Sequence, residues 1–143
     1  KFTTKNGKTV YAGGGIMPDY QVISNHDSLP TSLVYLYTSD FFDDLAFDYV
    51  DLNRNTPKDF NNFQITEKQK NDILSSIKDW IIIELGDAEN NTKLIQDVET
   101  NKIQLINRFS ALIIRQRWGW AEMQMFLNRN DEVISTSLSL LKN

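Results

Sequence analysis

Residues 66–86, TEKQKNDILSSIKDWIIIELG, decide the fold class of this chain. Thr66, followed three residues later by Gln69, matches the capping box, which satisfies two free N–H groups at the start of a helix. Gly86 is suited to end the helix, because glycine adopts left-handed backbone without a steric penalty. Between them, apolar residues recur at the spacing of one helix face: Ile73, Leu74, Ile77, Trp80, Ile81 and Leu85.

Helical patterns also precede this segment. Thr31 or Ser32 can cap a short helix, and Ser39 or Asp40 can cap the next one. Pro57 stops this second helix, because proline cannot continue a helical hydrogen-bond ladder. Its apolar face is predicted to comprise Phe41, Leu45, Tyr49 and Leu52.

Further helices are predicted after Gly86. One long helix covers Thr92 to Trp118, and Gly119 ends or bends it. Two short helices follow over residues 120–127 and 131–141, and Asp131 caps the second. The last helix carries an apolar stripe of Val133, Ile134, Leu138 and Leu141. The sequence therefore predicts a mainly α chain with about six helices.

The first thirty residues have a different pattern. Asn6-Gly7 separates two short β-prone runs, 2–5 and 8–11, and both turn residues tolerate positive φ, as a hairpin turn requires. Residues 20–23 supply a third extended piece. The polar run that ends at Pro30 marks a linker. We therefore predict a small β segment with its linker over residues 1–30 and a helical domain over residues 31–143.

Composition limits the classes of function. A length of 143 residues suits one domain with a real core. A net charge of -4 argues against nucleic-acid binding, which needs clustered Lys and Arg. No apolar run approaches the roughly 20 residues that span a bilayer. The absence of cysteine excludes disulfides and thiolate metal sites.

A run of three glycines followed by Ile-Met-Pro-Asp ends the β segment, at Gly13, Gly14, Gly15, Ile16, Met17, Pro18 and Asp19. Proline fixes its own φ and keeps the preceding residue extended, so the backbone is held in a defined conformation here. A phosphate-binding loop would need glycine where Phe2 stands. We expect a bend that lets the backbone pass close to another element.

This glycine segment, with the hairpin before it, resembles the end of the protease core in the S41 family of carboxyl-terminal processing peptidases, which has a Gly-rich turn and Ile-x-Pro-Asp. Residues 46–54, AFDYVDLNR, are similar to a run in the envelope-associated branch of that family. Residues 111–119 and 130–134 are similar to its closing helices. The resemblance spans nearly the whole chain.

The resemblance implies that this chain is the non-catalytic C-terminal part of a serine endopeptidase. The family's Ser nucleophile and Lys base precede the hairpin in chain order, so no catalytic, cofactor-binding or metal-binding residue is assigned here, and no cofactor is expected. The helical domain would brace the peptidase core, shape substrate access or mediate self-association. Implied partners are a protein or peptide with an unstructured C-terminus, the peptidase core and a second copy of the chain. The implied location is the cell envelope or periplasm, with a membrane anchor in the full-length protein.

The alternative is an independent helical protein-interaction module unrelated to proteolysis. Helices of this kind are common, which favours it. A bundle of this kind would have no evident use for the glycine run.

Several patterns suggest chemistry but are better explained without it. Ser75 with Lys78, and Ser139 with Lys142, match the Ser-x-x-Lys spacing of acylating enzymes, yet both lysines are predicted on solvated faces. His26 is the only histidine and is predicted to be a surface residue rather than a metal ligand.

Two further clusters have similar explanations. An acidic cluster lacks the glycine and terminal Glu of a calcium loop and is predicted to be a solvated helix face: Asp40, Asp43, Asp44, Asp48 and Asp51. An aromatic and methionine cluster is predicted to pack helix against helix rather than to form a binding patch: Trp118, Trp120, Met123, Met125 and Phe126.

Overall fold

The computed structural model describes residues 1–7, 9–11, 13, 20–22, 30–54, 59–86, 89–129 and 131–142, with backbone alone at 89 and 90. The described part is mainly helical, with one small N-terminal hairpin, which confirms the predicted fold class. Its elements in chain order are β1 Phe2–Thr3, β2 Thr9–Val10, α1 Thr31–Thr38, α2 Phe41–Leu52, α3 Glu67–Leu85, α4 Glu89–Thr100, α5 Lys102–Arg117, α6 Trp120–Asn128 and α7 Glu132–Leu141. A short 3-10 turn, Phe60–Asn62, precedes α3.

The hairpin forms, with a different turn from the one predicted. β1 and β2 are antiparallel, with Phe2 opposite Val10. The Gly7 N–H donates to the Thr4 carbonyl at 2.9 Å, and Gly7 has φ +79° while no described non-glycine residue has positive φ. The turn is therefore a four-residue turn that ends in a left-handed glycine, a common hairpin connection in which Asn6 needs no positive φ. Residues 20–22, predicted as extended, lie outside the described two-stranded sheet.

The hydrophobic core surrounds α5. Six consecutive residues of this helix, 109–114, are buried, so α5 is covered on every side over that stretch. It packs mainly against α2 and α6, and also contacts α3 and α4. The one polar member of the run, Ser110, donates its hydroxyl to the Ile106 carbonyl at 2.7 Å, so its burial leaves no donor unpaired.

The prediction of one long helix over 92–118 is wrong. The chain breaks at Asn101, with φ -107° and ψ 23°, into α4 and α5. Side chains at the break compete for the carbonyls of the preceding turn: Asn101 Nδ2 donates to the Asp97 carbonyl at 2.8 Å and the Thr100 hydroxyl to the Gln96 carbonyl at 3.0 Å. Local bonds of this type disfavour continuation of a helix.

Three of the predicted helix caps are confirmed. Thr66 and Gln69 form the complete capping box of α3, and Gly86 follows that helix as its C-cap. The Asp131 carboxylate accepts from the Ile134 N–H at 2.9 Å at the start of α7. At α1 the predicted cap is wrong, since Pro30 occupies the cap position.

The predicted apolar face of α3 is largely confirmed, except that Leu85 is exposed, and the predicted face of α2 is partly wrong. In α3, Ile73, Leu74, Ile77 and Ile81 are buried. In α2 the buried residues are Phe42 and Ala46, whereas Leu52, assigned to the core, is 83% exposed. The other three predicted core residues of α2 pack at the margin of the core: Phe41, Leu45 and Tyr49.

Candidate functional site

The N-terminal hairpin exposes apolar side chains. Phe2 is 63% exposed and Tyr11 is 71% exposed, and all four strand residues are exposed. Every described residue of the buried core belongs to residues 33–123, so the hairpin contributes none. An isolated two-stranded hairpin is marginally stable in water, and its edges carry unpaired backbone groups.

The predicted glycine motif is described only at Gly13. This residue has φ +99°, a conformation that favours glycine, and a Cβ added there would meet no described atom within 4 Å. The close approach expected of this bend is therefore not seen at Gly13, where the requirement is conformational. Other residues singled out from the sequence lie outside the described residues: Gly14, Gly15, Ile16, Met17, Pro18, Asp19 and His26.

Three of the four residues of the two Ser-x-x-Lys pairs are exposed, and the fourth, Lys78, is half-buried. Lys78 Nζ donates to the Glu99 carboxylate and ties α3 to α4, so this amine is engaged as a cation. Ser75 is exposed, as are Ser139 and Lys142 at the end of α7. Neither pair has the desolvated amine that a lysine base requires.

The prediction of a solvated acidic face is confirmed for Asp40, Asp44, Asp48 and Asp51, which are exposed, and is wrong for Asp43, which is half-buried. Asp43 accepts from the Arg115 guanidinium, and the Gln116 side chain donates to the Asp43 carbonyl at 3.0 Å. These two bonds join α2 to the end of α5. Among the residues that the structure describes, no group of three or more His, Cys, Asp or Glu could hold a metal ion.

The Trp-Gly-Trp segment turns the chain between α5 and α6. Gly119 has φ 123° and ψ -178°, a region that is almost restricted to glycine. Trp118 packs against Phe63 with ring centroids 5.5 Å apart, and Met123 is buried. Trp120 is exposed, as is Met125. The prediction that this cluster packs inward is therefore confirmed for Trp118, Met123 and Phe126 and wrong for Trp120 and Met125.

A cleft of about 440 Å³ lies between α3, α5 and α6. Its apolar floor includes Leu74, Ile106 and Phe126, and its polar lining includes Lys70 and Lys102. The Lys70 amine pairs with Glu67 at 2.5 Å. No local sequence pattern predicts this cleft, although the lysines flank the apolar stripes of two helices. Because Glu67 also lines the cleft and neutralises Lys70, the polar rim carries one excess positive charge, that of Lys102, above an apolar floor.

A second open cleft, of about 540 Å³, has aromatic walls and an acidic rim. Phe41 stacks on Trp80 with ring centroids 4.5 Å apart, and Tyr35 stacks on the same indole at 6.1 Å. The rim carries three carboxylates, those of Asp40, Asp44 and Glu84.

Titration behaviour follows burial and pairing. Burial raises the pKa of Tyr37 above its ordinary value of 10.0, against a smaller opposing effect of Arg108. Burial likewise raises the pKa of Tyr49, opposed by a hydrogen bond with Gln69. The hydrogen bond from Lys78 lowers the pKa of the Glu99 carboxyl. None of these shifts tunes a nucleophile or a base in a cleft.

Comparison of the chain with protein-family models, curated proteins and solved structures finds no match. In the described residues, no helix combines the length and apolar character needed to cross a bilayer.

Proposed function

We propose that this chain is the non-catalytic C-terminal part of an S41-type serine endopeptidase, with a helical domain that braces the peptidase core. The observation that carries the proposal is the exposed hairpin. Its two-residue strands and the rings of Phe2 and Tyr11 lack partners within the helical core. A larger sheet beside it would cover both the apolar rings and the strand edges.

The conformation of Gly13 is a second support. Its positive φ lies three residues after the end of β2, within the segment that resembles the Gly-rich turn of these peptidases. A Cβ at Gly13 would meet no described atom within 4 Å, so no described side chain or strand closes this position.

Under this proposal the helices act on the peptidase core rather than on substrate bonds. The described core around α5 contains no hairpin residue, so the helical domain can pack as a rigid unit beside a sheet. The parent enzyme would cleave proteins or peptides with unstructured C-termini in the cell envelope. Bond cleavage would use a Ser nucleophile and a Lys base upstream of residue 1.

A cleavage assay tests the proposal. The complete gene product should cleave a flexible peptide, and replacement of its upstream Ser by Ala should abolish turnover. The 143-residue chain should cleave nothing under the same conditions. Turnover by this chain alone would contradict the proposed location of the chemistry.

A second candidate function is an independent helical interaction module. The observation that favours it is the self-contained core over residues 33–123, together with the cleft lined by Lys70 and Lys102. A gene product that lacks a strand-rich segment with Ser and Lys before residue 1 would favour this candidate.

A further inference from the structure

The last helix, α7, has an apolar face that the described structure leaves largely uncovered, with only Ile134 half-buried. None of its ten residues is buried, and Leu138 is 53% exposed. At about 100° per residue, its apolar side chains fall within about 160° of the helix circumference. These residues are Val133, Ile134, Leu138, Leu140 and Leu141, which together we call the α7 face.

The polar residues of α7 add little cost to burial of this face. Ser137 projects from the middle of the α7 face, and its hydroxyl donates to the Val133 carbonyl at 2.7 Å. Ser135 and Ser139 likewise donate to carbonyls of the same helix, at 3.1 and 2.7 Å. Hydroxyls already paired within the helix leave no unsatisfied donor when a partner covers them. The small Ser137 side chain also permits close approach.

The charges of α7 lie only at its two ends. Asp131 and Glu132 begin the helix and Lys142 follows it, whereas residues 133–141 carry no charge. A complementary partner must therefore place a cation near one end and an anion about 15 Å away near the other. A second α7 in the antiparallel direction meets this requirement, because each acidic start then lies beside the other copy's Lys142.

We propose that two copies of this chain associate through antiparallel contact of their α7 faces. The contact is the same on both copies, as a two-fold axis requires. In this antiparallel arrangement the two helix dipoles point in opposite directions, which is electrostatically favourable. One ten-residue helix covers less than the roughly 800 Å² per partner of a standard interface, so the dimer dissociates on dilution. This inference does not rest on the peptidase proposal.

Sedimentation across a concentration series tests the contact. The unmodified chain should shift from its monomer mass of 16.6 kDa toward twice that mass as concentration rises. Leu138→Glu should remain monomeric throughout. Leu52→Glu is the matched control, because Leu52 is also an exposed helical leucine, and it should dimerise like the unmodified chain. A monomer at every concentration for the unmodified chain would overturn the proposal.

Charge exchange tests the direction of the pairing. Glu132→Lys alone and Lys142→Glu alone should each weaken the dimer, because each places like charges together at both ends of the contact. An equimolar mixture of the two variants should restore it, because every end then pairs opposite charges. Single variants that dimerise like the unmodified chain, or a mixture that stays monomeric, would refute antiparallel α7 pairing.

The hairpin is the competing contact, since its exposed strand edges can also pair copies. Val10→Pro removes a backbone donor from β2 and blocks strand pairing. It should leave the dimer intact. A dimer that is lost in Val10→Pro and retained in Leu138→Glu would place the contact on the hairpin and overturn the proposal. Circular dichroism of each variant confirms that the helices remain folded.

Discussion

Phe109→Ala should be among the most damaging single substitutions in this chain. Phe109 is fully buried in α5, and its ring meets the Tyr49 ring edge to face with centroids 5.8 Å apart. Truncation of a buried phenylalanine costs about 3–5 kcal/mol, because apolar burial is lost and a cavity remains. This is a large share of the about 5–15 kcal/mol that stabilises a typical protein.

The loss can be measured by urea and thermal unfolding. For a chain of this size about 1 kcal/mol corresponds to a shift in Tm of roughly 2–4 °C, so Tm should fall by about 6–20 °C. The matched control is Phe47→Ala, the same change at a residue of α2 that is 64% exposed. The control should alter stability by no more than about 0.5 kcal/mol. Similar losses for both variants would refute the placement of the core around α5.

Three further substitutions test the local structure. Thr66→Ala removes the capping box and should cost about 1 kcal/mol in urea unfolding, whereas Thr66→Ser should keep most of it, and equal losses would contradict the cap. Gly119→Ala should cost about 1–3 kcal/mol, since alanine is strained at this φ and its Cβ would lie 3.2 Å from the Glu122 carboxylate; an unchanged Tm would count against this conformation. Lys78→Gln should raise the pKa of the Glu99 carboxyl toward 4.5 in a carbon-13 NMR titration. Because pairing lowers that pKa in the folded state, the pair stabilises the fold above pH 4.5 and its contribution is lost as pH falls through the lowered pKa; an unchanged titration would contradict the pair.

Much of the helical architecture could be predicted because local chemistry specifies it. The capping box at Thr66, the cap at Asp131 and the glycine after α3 each satisfy backbone groups within a few residues of sequence. The stripe of α3 is a plain helical repeat against a polar background, so its buried face could be identified.

The sequence-based predictions are wrong where two neighbouring residues are equally suited to a position and tertiary contacts select one of them. Phe41 and Phe42 are adjacent aromatics, and packing against α5 determines which becomes the buried one. Ser32 was a reasonable cap for α1, but its hydroxyl donates instead to Asp97 of α4 at 2.5 Å. The sequence predicts Asp43 on the solvated face, but its carboxylate accepts from Arg115, 72 residues later in the chain.

The candidate surfaces were less predictable than the core. The cleft lined by Lys70 and Lys102 exists only when α3 and α5 are placed side by side, and no local pattern encodes that placement. The apolar stripe of α7 was visible in the sequence, but periodicity alone does not say whether the same chain covers it. The sequence does not signal the break at Asn101, because the break contains neither glycine nor proline.

The most direct test of the proposed function compares peptide cleavage by the complete gene product with cleavage by residues 1–143. We predict turnover by the complete product, its loss when an upstream Ser is replaced by Ala, and no turnover by the 143-residue chain. Cleavage by the shorter chain, or a complete product that cleaves no flexible peptide, would contradict the account.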